Sequence, residues 1–201
     1  MSHPSFPIAN VQLNGEGPKE AIDHFLKHRP SERWVLLGGH AAQGMDQLWA
    51  AWIQATRNEL RGAMVARSID AEFLRYLAGT HHISEAFARA GLQSGQQNAW
   101  VVYLPEAEGV ANDLGHVQPV ALQPASFQED ANALSLLLDW APRDVEVSYS
   151  IEGASLLGVD VNGWSKDREE EALVAHILPS SVCDTIPECH INFFTRRWRR
   201  F

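Results

Sequence analysis

Cysteine is scarce in this chain, with only Cys183 and Cys189 among 201 residues. Two thiols cannot build a disulfide framework, and a reducing compartment, the cytoplasm, is the expected location. Long apolar runs are missing too. No stretch approaches the roughly 20 residues that span a bilayer, and the opening MSHPSFPIANV carries neither the basic nor the apolar region of a secretory signal. Positive charge is also in short supply. The chain has 16 Lys and Arg against 25 Asp and Glu, a net charge of −9. That balance argues against nucleic-acid binding over the whole surface and leaves only local basic patches.

Signatures of catalysis are equally absent. The sequence has no glycine-rich phosphate loop with a following lysine, no paired-glycine dinucleotide fingerprint, no His-Glu-x-x-His helix and no G-x-S-x-G elbow. Gly38 and Gly39 precede His40 at a strand–helix junction, where free amides could hold an anion. No Lys, Ser or Thr follows closely, so a tight turn accounts for them. The adjacent His81 and His82 have no supporting carboxylate beside them and read as surface polar residues rather than metal ligands. Cys183, Cys189, His190 and the upstream His176 offer zinc-type ligands, but the spacing matches no familiar zinc module. No catalytic residue, metal or cofactor is expected. A metal enzyme built on His40, His81 and His82 is the least favoured alternative.

What is present suits one soluble domain: 45% hydrophobic and 20% charged residues, with length enough for a sizeable core. Residues 8–13 alternate as a strand, and the turn cluster 14–18 leads from Pro18 into a short helix that Pro30 ends. Residues 34–37 read as a buried strand. From His40 to about Arg61, Met45, Leu48, Trp49, Trp52, Ile53 and Leu60 follow the helical period, with Gly62 as the stop. Core packing accounts for those tryptophans. Residues 99–104 read as a strand, 120–122 as a short one and 145–151 as an edge strand; helices are expected over 130–140 and 165–178. Ser165 and the acidic first turns favour the last helix, and Pro179 closes it.

The stretch RSIDAEFLRYLAGTHHISEAFARAGLQSGQQNAWVVYL, residues 67–104, organises the rest. Ile83, Ala86, Phe87 and Ala90 fall at i, i+3, i+4 and i+7, one apolar stripe on a short helix. Thr80 or Ser84 can cap its start, and Gly91 suits a left-handed stop. Glu85 and Arg89 form an i,i+4 pair on another face. The stripe either faces its own sheet or fills a partner's groove. Residues 72–78, EFLRYLA, favour a helix on propensity alone.

This stretch, with Ala66 before it, resembles the signature segment of the TPRKB family, the small kinase-binding subunits of the KEOPS complex. The shared order runs through Arg67-Ser68, then Glu72-Phe73-Leu74 opening an apolar strand, then a polar loop over 79–82. Ile83-Ser84-Glu85-Ala86, Gly91 and the apolar strand 100–104 complete it. On that pattern residues 72–78 are assigned to a strand. The likeness covers 34–104 and, more faintly, 165–178. It departs in a long insertion at about 112–163 and in the extension 179–201, so the domain is taken as 1–178.

The resemblance implies an α+β, two-layer sandwich with a central, mostly antiparallel mixed sheet and packed helices. It implies a noncatalytic adaptor that binds the kinase-like ATPase of KEOPS, touches the 3′ CCA end of tRNA and supports threonylcarbamoyladenosine formation. The partner-binding residues would be Ile83, Ser84, Ala86, Phe87, Arg89 and Ala90. For tRNA the available groups are Arg57, Arg67, Arg75, His81, His82 and the tail arginines Arg196, Arg197, Arg199 and Arg200 around Trp198. That tail offers charge and a stacking ring together, which makes a stand-alone RNA-binding module the rival reading.

Overall fold

In the computed structural model, which describes residues 5–108, 117–120, 123–161 and 168–183, the apolar runs form a sheet covered on both faces. The chain begins with β1 (Ile8–Gln12), α1 (Pro18–His28), β2 (Trp34–Gly38), α2 (Met45–Arg61), α3 (Ile69–Leu77) and α4 (Ile83–Ala90). β3 (Asn98–Tyr103) follows, then β4 (Ala107–Glu108) and β5 (Gln118–Pro119), which pair only with each other. α5 (Pro124–Leu137), β6 (Ala141–Arg143), α6 (Ile151–Leu156) and α7 (Glu169–Cys183) complete the described order. The main sheet runs β2-β3-β1-β6 with every pairing antiparallel. Among the described residues no helix is long and apolar enough to cross a membrane.

Successive residues of a strand point to opposite faces, and here both faces are apolar. Val35, Leu37, Trp100 and Val102 join Leu48 and Trp52 of α2, Phe73 and Leu77 of α3, Ala86 and Ala90 of α4, and Leu173 and Ile177 of α7. Val11, Trp34, Leu36, Ala99 and Val101 meet Phe25 of α1 and Phe127, Ala131 and Leu134 of α5 on the other side. The α+β class expected from the sequence is what forms. Its layering is helix–sheet–helix rather than two layers, because two apolar faces each need cover. Residues 124–159 are integral to this arrangement, since α5 and β6 belong to the second face and the sheet, and Ala154 and Leu157 enter the first core.

Residues 72–78 are a correction. They lie in the helix α3, not a strand, as their propensity favoured. α3 is enclosed on nearly every side, Ala71 alone of its residues being less than buried, and the polar side chains of its sequence, Asp70, Glu72 and Arg75, are buried with the apolar ones. Other boundaries moved for local reasons. α5 starts at Pro124, six positions before the expected 130, with proline in the first turn where its missing N–H is harmless. Residues 145–150 form no strand, and Ser150 instead opens α6, its hydroxyl accepting the Gly153 N–H at 3.0 Å. At the other short strand, pairing falls on Gln118–Pro119, and residues 121–122 lie outside the described ones. α7 runs past Pro179 to Cys183.

Two arginines wrap the β2 edge and join the layers. Arg29, after α1, donates to the Trp34 carbonyl at 2.9 Å and to Asp70 of α3 at 2.5 Å. Arg33 reaches Glu59 of α2 at 2.8 Å. Deeper in, α3 is fixed by a buried ion pair: Glu72 and Arg75 lie 2.8 Å apart with both side chains fully enclosed. Asn58 of α2 donates to Glu72 at 2.8 Å and contacts the Tyr76 hydroxyl at 2.7 Å, while the Ala66 N–H donates to the second Glu72 oxygen at 2.9 Å. The Arg75 guanidinium also lies 4.5 Å from the centre of the Tyr76 ring. Removing one member of such a pair leaves a buried charge uncompensated, whereas removing both does not. Glu72→Ala is therefore expected to destabilise the protein by about 3–5 kcal/mol in urea unfolding. The double change Glu72→Leu/Arg75→Met should recover most of that loss; equal losses would mean that the pair is solvated.

Candidate functional site

α4 is eight residues long, too short to stand alone, and its place is set by what holds it. Ala86 and Ala90 are fully buried, and their small side chains let the helix close on α3 and the core. Those two residues pack α4 on its own molecule and present no surface to a partner, contrary to their expected role. Phe87, one flank further round, is 48% exposed. Ser84 is exposed and Ile83 half-buried, so Ile83, Ser84 and Phe87 form the outward part of the six-residue group.

Both ends of α4 are tied. The Thr80 hydroxyl accepts the His82 N–H at 3.2 Å and donates to Glu85 at 2.5 Å, bracing the approach to the helix; the N-cap position is His82, and neither Thr80 nor Ser84 occupies it. The Thr80 hydrogen bond holds the Glu85 carboxyl below its ordinary pKa; burial opposes this, while Arg89 and His82 add to it. Arg89 lies 2.6 Å from Glu85 and donates to the Ala78 carbonyl at 3.1 Å, and its guanidinium packs on Gly158 beyond α6. Arg89 therefore stitches α4 to its neighbours as well as edging the face. At the C-terminus Gly91 is extended, with φ −79°, not left-handed. Its glycine is required by proximity, because a Cβ there would sit 2.5 Å from the Phe87 carbonyl.

His40 is the residue whose role the sequence hid. Its Nε2 lies 2.7 Å from the Arg89 carbonyl and its Nδ1 2.7 Å from the Gln96 side-chain nitrogen. A carbonyl only accepts, so Nε2 carries the proton and Nδ1 accepts from Gln96. His40 thus satisfies one of the open carbonyls at the end of α4. The only cue in the sequence was its place after the Gly38-Gly39 turn.

Of the cationic group, Arg67 and His82 are exposed and Arg57 and His81 half-buried. Arg75 is fully enclosed in its pair with Glu72 and stands 3.2 Å from His81 Nδ1, so it offers nothing to a nucleic acid. Arg196, Arg197, Arg199 and Arg200 lie outside the described residues, as do Cys189 and His190. Among the described residues no group of three His, Cys, Asp or Glu side chains could hold a metal ion.

Fold and surface together define an α+β protein whose candidate contact is a short helix clamped at both ends with one aromatic ring turned outward. The family is narrower: a family model described as kinase binding protein CGI-121 matches residues 19–186, and the chain belongs to that family. The family's description points to a binding subunit with a kinase as partner. None of the curated proteins matches the chain.

The α3–α4 turn that aims this helix rests on His176 of α7, whose ring occupies the space a side chain at Gly79 (φ +58°) would need. Burial holds the His176 pKa below its ordinary value; the nearby Arg89 adds to this, and the Ala78 and Leu157 carbonyls oppose it. A base whose pKa is depressed on folding takes its proton first in the unfolded chain. Stability is then fully present above the unfolded value near 6.5 and is lost as pH falls below it towards the folded pKa. Urea midpoints measured from pH 7.5 downward should fall more steeply for the wild type than for His176→Gln; parallel curves would remove His176 from the pH response.

Proposed function

We propose that this chain is the noncatalytic adaptor of a KEOPS-type tRNA-modifying complex, binding its kinase-like ATPase and supporting that partner's activity. The observation that carries the reading is Phe87. It is a large ring left 48% exposed on a helix whose other ends and faces are anchored, within a chain of the kinase-binding family. An aromatic anchor ringed by small and polar residues is the form in which a few side chains supply most of an interface's energy. Ser84 and Ile83 would edge the contact, and the tied Arg89 would add a charged rim. The partner would meet a helix that needs no ordering on binding.

We further propose that the chain helps hold the 3′ CCA end of tRNA in threonylcarbamoyladenosine formation. The cations available for this are Arg67 and His82, close in sequence to the α3–α4 region, and the tail arginines, which lie outside the described residues. On a chain with net charge −9 such cations would act only as a local patch.

Phe87→Asp should weaken binding of the cognate kinase-like subunit on the order of tenfold or more in calorimetry, while far-UV circular dichroism stays unchanged. Undiminished affinity would remove α4 from the interface. Deleting residues 195–201 separates the adaptor from the stand-alone RNA-binding module. The adaptor retains its kinase binding and loses only part of its tRNA affinity, measured by filter binding; an RNA affinity that vanishes, with no kinase binding in either form, favours the module.

A further inference from the structure

The ladder between β1 and β6 stops early. It pairs Gln12 with Ala141, Val11 with Pro142 and Asn10 with Arg143, and then the two chains part. Continued in register, Ile8 would face Val145 and Phe6 would face Val147. Instead these residues line opposite sides of a cavity of about 740 Å³, within the range that holds small ligands. Among the described residues no strand pairs with β1 on this side beyond Asn10. The Leu13 N–H donates to the Gln97 carbonyl and the Pro7 carbonyl accepts from Tyr103, so the odd-numbered residues turn their peptide groups to β3. By alternation the N–H and C=O of Ile8 face the gap, beyond the last β6 pairing. Val145 is 42% exposed and Val147 and Ile8 are half-buried, so this gap has apolar walls.

One side chain at its closed end is unaccounted for. Asn10 is 2% exposed, and both its amide nitrogen and its amide oxygen are buried with no hydrogen-bond partner among the described residues. Its cross-strand neighbours on the same rung and face are Trp100 and Arg143, and both line the cavity with it. A buried primary amide without partners is costly and is kept only where something else meets it. The group presents a donor and an acceptor in one plane, which matches the N–H and C=O of a single residue in an extended chain.

We propose that this interrupted ladder is a binding site for an extended peptide segment of a partner protein, which enters as an added strand along the open edge of β1 and satisfies the Asn10 amide with one of its own peptide units. Main-chain pairing to Ile8 would supply affinity, and the apolar walls would select alternate side chains of the peptide. Arg143, Asp144 and Glu146 at the cavity carry both signs of charge, so selection there rests on shape and backbone rather than on net charge.

The site is tested with a display library of random linear heptapeptides selected on the full chain. Peptides enriched on the wild type should bind Asn10→Leu at least tenfold more weakly. Resynthesised with N-methyl groups at alternate backbone positions, they should lose binding to the wild type in one phase of the alternation and keep it in the other. Asn10→Leu should itself melt a few degrees higher, since it replaces an unsatisfied amide by an apolar group of similar size. No enriched peptide that depends on Asn10, peptides indifferent to N-methylation, or a lower melting temperature that marks an amide satisfied by water would each overturn the assignment. The N-methyl comparison uses the wild-type protein and stays decisive if the variant folds poorly. Binding of the kinase-like subunit should be the same for wild type and Asn10→Leu, which keeps this test separate from that of α4.

Discussion

The enclosed pair of Glu72 and Arg75 is the constraint on which the rest of the helical layer depends. Two charges with no solvent contact persist only if their remaining hydrogen-bonding capacity is met. Here Asn58 and the Ala66 N–H complete the carboxylate, and the guanidinium spends its other nitrogens on His81 and the face of Tyr76. Each of those partners lies on a different piece of chain: α2, the link to α3, α3 itself and the turn to α4. Satisfying one ion pair therefore sets the angle at which α3 crosses α2 and the place where the chain must turn at residues 78–82. The surface helix inherits its position from a charge pair that nothing outside can reach.

From that turn outward the same economy of polar groups continues. Thr80 ties Glu85, Glu85 ties Arg89, Arg89 reaches back to the Ala78 carbonyl, and His40 takes the Arg89 carbonyl. Polar side chains flanking α4 are thus spent on holding it, and Phe87 is the large apolar group left over. On the proposed reading, a contact helix fixed in this way would meet its partner without first losing conformational freedom, and such preorganisation favours affinity.

The three longer strands of the main sheet are legible because their signal is local. Residues 8–13, 34–37 and 99–104 were read as strands and became β1, β2 and β3 within a residue or so. Trp34 through Leu37 carry apolar residues without alternation, which is how a strand covered on both faces reads. For residues 72–78 propensity favours a helix and the family pattern a strand, and the structure follows propensity. Half of the candidate site was legible for a related reason. A period of 3.6 identifies which residues share a face, and it named Ala86, Phe87 and Ala90 together. It cannot say that the two alanines sit at the centre of the buried arc and the phenylalanine at its margin. The role of His40 is illegible because its partners, Arg89 and Gln96, are distant in sequence; Arg75 has its partner Glu72 three residues away, and what the sequence hides is that the pair is buried.

The two surfaces singled out here lie at opposite ends of the sheet order. α4 is anchored through His40, which follows β2, and Gly91 packs its carbonyl against Gly38 at the end of that strand. The parted ladder lies beyond β1 on the β6 side, with β3 and β1 between it and the β2 edge. Of those intervening strands β3 is paired on both sides, to β2 and to β1, and β1 is paired along its whole length on the β3 side. Contacts made at well-separated sites that share no partner add. That is the arrangement an adaptor needs. On the proposed reading one edge would hold the kinase partner and the other an extended peptide, each affinity being set by its own residues.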